Sequence, residues 1–147
     1  MVEAGTLLYV GIAPKAPPAN GGRPSRQGLR SRVRYHFSGN AAGSTLRLTL
    51  GCHLTERLGI ELRRVGTTGD RLTFTKAGEA KLSEWMDGHA RVAFVVEDEP
   101  WALERHLITN EVLPLNLEHN GHSAYHQTLI ALRAQCRAAA RALPVTA

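Results

Sequence analysis

One acidic residue, Glu104, stands at a position where its charge has consequences. On a helical wheel of about 100° per residue, the segment after Pro100 places Glu104 at the centre of an apolar arc. The arc consists of Trp101, Leu103, Leu107, Ile108 and Val112. An ionised carboxylate facing an apolar interior costs several kcal/mol unless it is paired or bound to a metal. The position therefore predicts either a metal ligand or a structural role, as a buried Glu–Arg pair or at a cleft edge.

Arg32 and His36 form a second candidate pair. They lie four residues apart on one face of a predicted helix, displaced from its apolar stripe. Arginine suits two-pronged contact with a phosphate, and histidine can relay a proton near neutral pH. The same spacing also fits an ordinary solvated helix face.

Tyr9 is a third candidate, on a predicted strand. It shares a strand face with Gly11, and a glycine there lets a ligand backbone come close. Tyr9 is therefore interpreted either as a tyrosine that presents its hydroxyl in a groove or as a core tyrosine.

Positive charge is concentrated in the first half of the chain. The net charge is +5, and seven basic residues with no acidic one lie between positions 15 and 47. Besides Arg32 these are Lys15, Arg23, Arg26, Arg30, Arg34 and Arg47. Such a one-sided field attracts polyanions, nucleic acid first among them. The alternative is an arginine-rich composition, 15 Arg against 3 Lys, that merely fills solvated faces.

Length and composition exclude several classes. The 147 residues predict a single domain over 1–147. No apolar run approaches the roughly 18 residues of a membrane span. Two cysteines without an export signal favour a reducing cytoplasm. Gly21-Gly22 lacks the Lys-Ser/Thr of a phosphate loop, so no nucleotide cofactor is expected.

The elements that must position these residues follow a mixed α/β order. They are a strand over Thr6–Ile12, a helix over 26–37, a helix from Ser44 or Thr45 to near Leu58-Gly59, a hairpin over Leu62–Phe74, a helix over Thr75–Met86, a strand over Ala90–Val96, a helix from Pro100 and a helix over about Ser123–Leu143. The strand over Ala90–Val96 is mostly apolar, so we expect both its faces to be covered.

Four blocks of sequence, in order along almost the whole chain, resemble the GIY-YIG nuclease superfamily. They are LYVGI at 8–12, LRSRVRYHF at 29–37, ALERHLI at 102–108 and LPLN at 113–116. Tyr9 belongs to the block that stands where the family has YIG. Arg32 and His36 match the family's first helix, Glu104 its metal-binding glutamate and Asn116 its following asparagine. The Arg-x-x-x-His arrangement looks more like restriction-type members than repair subunits.

The resemblance implies a divalent-metal-dependent endonuclease that cuts phosphodiester bonds in DNA, with Mg²⁺ or Mn²⁺ as cofactor. In this scheme Glu104 holds the metal and Arg32 steadies the phosphate. Tyr9 orients or deprotonates the attacking water, His36 accepts the proton, and Asn116 holds neighbouring groups by hydrogen bonds.

The fold expected from the resemblance is one α/β domain with a small antiparallel sheet flanked by helices. The Tyr9 strand and the Val92–Val96 strand are expected at the centre of this sheet. The family's first motif, a strand with its own tyrosine, should precede Tyr9, and residues 1–8 contain no tyrosine. We therefore expect an N-terminally incomplete domain or the loss of that tyrosine. The alternatives are a catalytically impaired nucleic-acid-binding module and a protein-interaction domain.

Three histidines downstream, His119, His122 and His126, can also be interpreted as zinc ligands. No cysteine pair accompanies them. Their place after Asn116 equally suits packing near the active groove.

Overall fold

The helices begin and end close to the positions that local signals predict. The computed structural model describes residues 5–23 and 25–146, with helices α1 (Leu29–Ser38), α2 (Thr45–His53), α3 (Thr55–Leu58), α4 (Thr75–His89), α5 (Pro100–Asn110) and α6 (His126–Ala142). Ser44 caps α2, since its Oγ accepts the backbone N–H of Arg47 at 3.1 Å. Gly59 ends α3 in the left-handed conformation, with φ of +57°. The second predicted helix is thus divided into α2 and α3.

The predicted hairpin is confirmed as strands β1 (Arg63–Val65) and β2 (Arg71–Thr73). They pair antiparallel, with Arg64 opposite Leu72. Gly69 in the turn has φ of +69°, and a Cβ there would lie 2.7 Å from the Val145 side chain. The turn therefore requires glycine for both its conformation and its space. Among the described residues, the two strands of this hairpin form the β-sheet.

The core is built from α2, the hairpin and α4, with α6 packed against α2 and β1. Its buried apolar residues include Leu48, Cys52, Ile60, Leu62, Phe74, Leu82 and Met86. A Cβ on Gly51 would overlap the Phe74 ring, so the glycine lets this ring pack directly on the backbone of α2.

The segment over Thr6–Ile12 is not a regular strand, which corrects the first prediction. Its backbone is bound by the loop after α5 instead of by a neighbouring strand. Leu115 N–H donates to Leu8 O at 3.0 Å, and the amide of Asn116 bonds both backbone groups of Val10. The alternation of side chains indicated an extended segment correctly, but a strand also needs a backbone partner.

The segment over Ala90–Val96 was wrongly predicted as a covered central strand. It is irregular, and its apolar side chains lie in solvent. A run of apolar residues does not indicate which element of the fold covers it. No strand among the described residues pairs with this segment. The predicted class, a small antiparallel sheet flanked by helices, is confirmed, but the hairpin forms that sheet. No helix of the described residues has the length and apolar character needed to cross a membrane.

Candidate active site

Helix α1 carries Arg32 and His36 on its inner side, because four residues make about one helical turn. His36 is buried and Arg32 is half-buried. Arg30 and Arg34, on the other side of α1, are exposed. The helix thus separates two inward-facing polar side chains from two outward-facing cations.

Tyr9 lies against the inner side of α1. Its ring meets the His36 ring edge-on, with centroids 5.8 Å apart and planes at 78°. Burial raises the pKa of Tyr9 above its ordinary value of 10.0, while Arg32 opposes the rise through its charge and a hydrogen bond to the hydroxyl. Tyr9 is therefore a protonated phenol at neutral pH.

Asn116 holds the segment that presents Tyr9. The asparagine is buried, and its Oδ1 accepts the N–H of Val10 at 2.9 Å while its Nδ2 donates to Val10 O at 2.8 Å. Asn120 braces the same loop, since its Nδ2 donates to Asn116 O at 2.9 Å. Asn116 is thus a positioning residue, because it binds the backbone of Val10, which follows Tyr9 in the chain.

His36 is held from behind by Ser44, whose Oγ lies 2.7 Å from Nδ1 of the imidazole. Burial, with the charges of Arg32 and Arg47, lowers the pKa of His36 from 6.5 to about 4. The imidazole is therefore neutral at physiological pH. A neutral imidazole can accept a proton, whereas an imidazolium cannot.

Glu104 reaches this site from α5. It is half-buried on the inner side of the helix, where Ile108 is fully buried, as the helical wheel predicted. Val112 was wrongly predicted in this apolar arc, because α5 ends at Asn110 and Val112 is exposed. Burial raises the pKa of Glu104 above 4.5, and the charge of Glu118 raises it further, while His119 and Arg32 lower it. The charge of Glu104 also raises the pKa of the Tyr9 hydroxyl. Glu104 therefore belongs to the same electrostatic site as Tyr9 and Arg32.

Glu118 is a member of the site that the sequence analysis did not name. Glu118 is exposed, yet its charge raises the pKa of both Glu104 and Tyr9. The available signal was its position two residues after Asn116, in the loop that binds the Tyr9 segment. His119 follows with φ of +60°, a backbone conformation uncommon outside glycine.

The zinc interpretation of the three histidines finds no support in the described residues. No group of three or more His, Cys, Asp or Glu side chains there is arranged to hold a metal ion. Nε2 of His126 lies 3.2 Å from the backbone oxygen of Leu117. Of the three histidines, His119 alone changes the pKa of Glu104, which its charge lowers.

Arg47 was wrongly predicted to bind nucleic acid. Its side chain is fully buried and forms an ion pair with Glu79 on α4, with Nη2 and Oε2 2.7 Å apart. Its Nε also donates to the Glu79 carboxylate, and its terminal nitrogens bind Ser83 Oγ and the backbone carbonyls of His36, Phe37 and Glu79. Burying an arginine requires this many partners because an unpaired buried charge is costly. Arg47 is a structural residue that ties α1, α2 and α4 together behind His36.

The other predicted cations lie in solvent. They are Lys15, Arg23, Arg26, Arg30 and Arg34. Of these, Arg30 and Arg34 lie one turn apart on the outer side of α1, opposite the helix face that carries Arg32. The structure thus leaves five of the six cations free to meet a polyanion.

A cleft of about 510 Å³ lies elsewhere, between the end of α1, the hairpin and the start of α4. Its lining includes Arg71, Lys76 and Ser83, and none of Tyr9, Arg32, His36 or Glu104. The candidate active site is therefore separate from this cleft.

Comparison with known proteins identifies a family. The family model described as GIY-YIG catalytic domain matches residues 2–138. No curated protein and no solved structure matches the chain significantly. The match spans every residue of the candidate active site.

Proposed function

Because the chain belongs to the GIY-YIG catalytic domain family, we propose that it is an endonuclease that hydrolyses phosphodiester bonds of DNA with Mg²⁺ or Mn²⁺. Membership supports a nuclease-type function, and one structural observation carries the proposal. Three separate segments supply Tyr9, Arg32 and Glu104. The charge of Arg32 lowers the pKa of the Tyr9 hydroxyl, and the charge of Glu104 raises it. His36 contacts the same ring.

Glu104 would hold the metal ion. The carboxylates present suit a cation, because the like charge of Glu118 raises the pKa of Glu104 and the two groups repel each other. A divalent cation relieves such repulsion, and Mg²⁺ typically needs only one or two protein carboxylates. When bound, the metal neutralises the scissile phosphate and stabilises the leaving oxygen.

The remaining residues would act on the phosphate and the attacking water. Arg32 offers a guanidinium that suits the phosphate oxygens as negative charge develops. Tyr9, protonated at neutral pH, orients the water by a hydrogen bond and does not remove its proton. His36, neutral at the same pH, would accept that proton through Nε2 in the tautomer whose Nδ1 carries the hydrogen and faces Ser44 Oγ.

The exposed cations supply the affinity for DNA. Arg30 and Arg34 lie on the outer side of α1, whereas Arg32 lies on its inner side, so they would bind phosphates of the DNA away from the scissile one. Lys15, Arg23 and Arg26 extend the positive surface ahead of α1. Contacts of this kind bind any sequence and weaken with salt.

The decisive experiment is nicking of supercoiled plasmid by the purified chain with and without Mg²⁺ or Mn²⁺. Glu104→Gln should abolish metal-dependent cleavage while leaving DNA affinity and the unfolding midpoint close to wild type. Glu111→Gln, an exposed carboxylate just beyond α5, is the matched control and should cleave normally.

Two results would contradict the proposal. Marked unfolding of Glu104→Gln, at about 3–5 kcal/mol, would identify a structural ion pair instead of a metal ligand. Salt-dependent DNA binding by the wild type, without cleavage in either metal, would favour a nucleic-acid-binding module on the same scaffold.

A further inference from the structure

Residues 91–97, called the pairing segment below, join α4 to α5 and are exposed throughout. Phe94 is 74% exposed and Val96 is 85% exposed. Within the described part of the chain, the backbone groups of residues 92–97 make no hydrogen bond. Apolar side chains beside free backbone groups form a template for another strand.

The pairing segment is complementary to a second copy of itself in antiparallel orientation. With a two-fold axis at Phe94, Arg91 stands opposite Glu97, Val92 opposite Val96, Ala93 opposite Val95 and Phe94 opposite its own copy. Because side chains alternate, Val92, Phe94 and Val96 of both copies share one face. The symmetry also doubles the Arg91–Glu97 pair, one at each end.

Neighbouring registers lose this match. A shift of one residue in one direction sets Val92 opposite Glu97, while Arg91 meets Asp98, and in the other direction sets Arg91 opposite Val96. Each shift leaves a charge facing a valine and separates the two phenylalanines. The Arg91–Glu97 pair and the apposed phenylalanines together therefore favour one register.

We propose that two copies of this chain associate through their pairing segments as antiparallel strands, with Phe94 on the two-fold axis. Two short strands bury little area, so the dimer is weak, with a Kd in about the micromolar range. The pairing segment ends three residues before Pro100, the first residue of the helix that carries Glu104. Pairing therefore also fixes the chain that leads into α5.

The test is sedimentation velocity of the full chain over a concentration series. The wild type should show a concentration-dependent dimer. Arg91→Glu and Glu97→Arg should each raise the Kd about tenfold, because both symmetry-related pairs then carry like charges. The double variant R91E/E97R should return the Kd close to wild type. Circular dichroism confirms that each variant keeps its helices.

Val96→Asp and Val112→Asp form a matched pair, because Val112 is 82% exposed but lies outside the pairing segment. Val96→Asp should abolish the dimer, and Val112→Asp should leave it intact. Equal effects of these two substitutions would overturn the proposal. A double charge variant whose dimer Kd is no lower than that of the single variants would also overturn it. So would a wild-type chain that stays monomeric at every concentration.

Discussion

The side chain of Asn116 pairs with the backbone of Val10 as a neighbouring strand would. Its Oδ1 accepts the Val10 N–H at 2.9 Å and its Nδ2 donates to Val10 O at 2.8 Å. Both bonds fall on the residue next to Tyr9, whose ring meets His36. One buried amide therefore anchors the backbone beside Tyr9.

Asn116→Ala should lower the free energy of unfolding by about 1–3 kcal/mol, since it leaves two part-buried backbone groups without partners. We also expect slower cleavage, because Tyr9 is released from His36. Urea denaturation and plasmid nicking measure the two effects. Asn110→Ala, an exposed asparagine whose amide bonds only within α5, should change neither. Unchanged nicking by Asn116→Ala would show that Tyr9 does not depend on this anchor.

Arg47→Met should destabilise the protein by about 3–5 kcal/mol, because the Glu79 carboxylate stays buried without its cation. Arg34→Met, an exposed arginine, should stay within about 0.5 kcal/mol of wild type. Chemical denaturation compares the two. Weaker DNA binding by Arg47→Met with unchanged stability would show that Arg47 binds nucleic acid and is not a structural residue.

Arg32→Ala should slow cleavage far more than it weakens binding, because Arg32 faces the Tyr9 hydroxyl. Arg30→Ala and Arg34→Ala should instead reduce the salt dependence of binding by roughly one unit of log–log slope each. Arg141→Ala, exposed at the end of α6, serves as the control. The measurements are turnover and binding titrations over a salt series. Equal small effects from all four substitutions would indicate a merely solvated set of arginines.

The stability of the protein should fall as the pH drops from about 6.5 towards 4. The pKa of His36 is lowered to about 4 in the folded chain, whereas the unfolded chain takes up this proton near 6.5. Between these values the unfolded state binds more protons, so acid favours unfolding, and the contribution is fully present above pH 6.5. Its size is on the order of 2 kcal/mol.

His36→Asn should remove this dependence, and the difference between wild type and variant isolates it from other titrating groups. The measurement is the urea midpoint at several pH values. A constant difference between the two proteins from pH 7 to pH 4 would show that His36 titrates normally.

The helices and the hairpin were predictable because their signals are local. The inner face of α5, with Glu104 among apolar residues, follows from spacing along one helix. The turn at Gly69 and the end of α3 at Gly59 follow from the backbone freedom of glycine. The order of the four sequence blocks pointed to the family that the comparison with known proteins confirmed.

Spacing and order along the chain were therefore sufficient for the helices, the hairpin, the family and the residues available for chemistry. Only the tertiary structure decided their roles, because burial depends on partners distant in the chain. Arg47 resembles its neighbours in sequence, yet Glu79, 32 residues later, makes it structural. Glu118 entered the site only when its loop met the Tyr9 segment. The apolar run over Ala90–Val96 predicted burial, but burial requires a covering surface, and a pattern of side chains does not supply one.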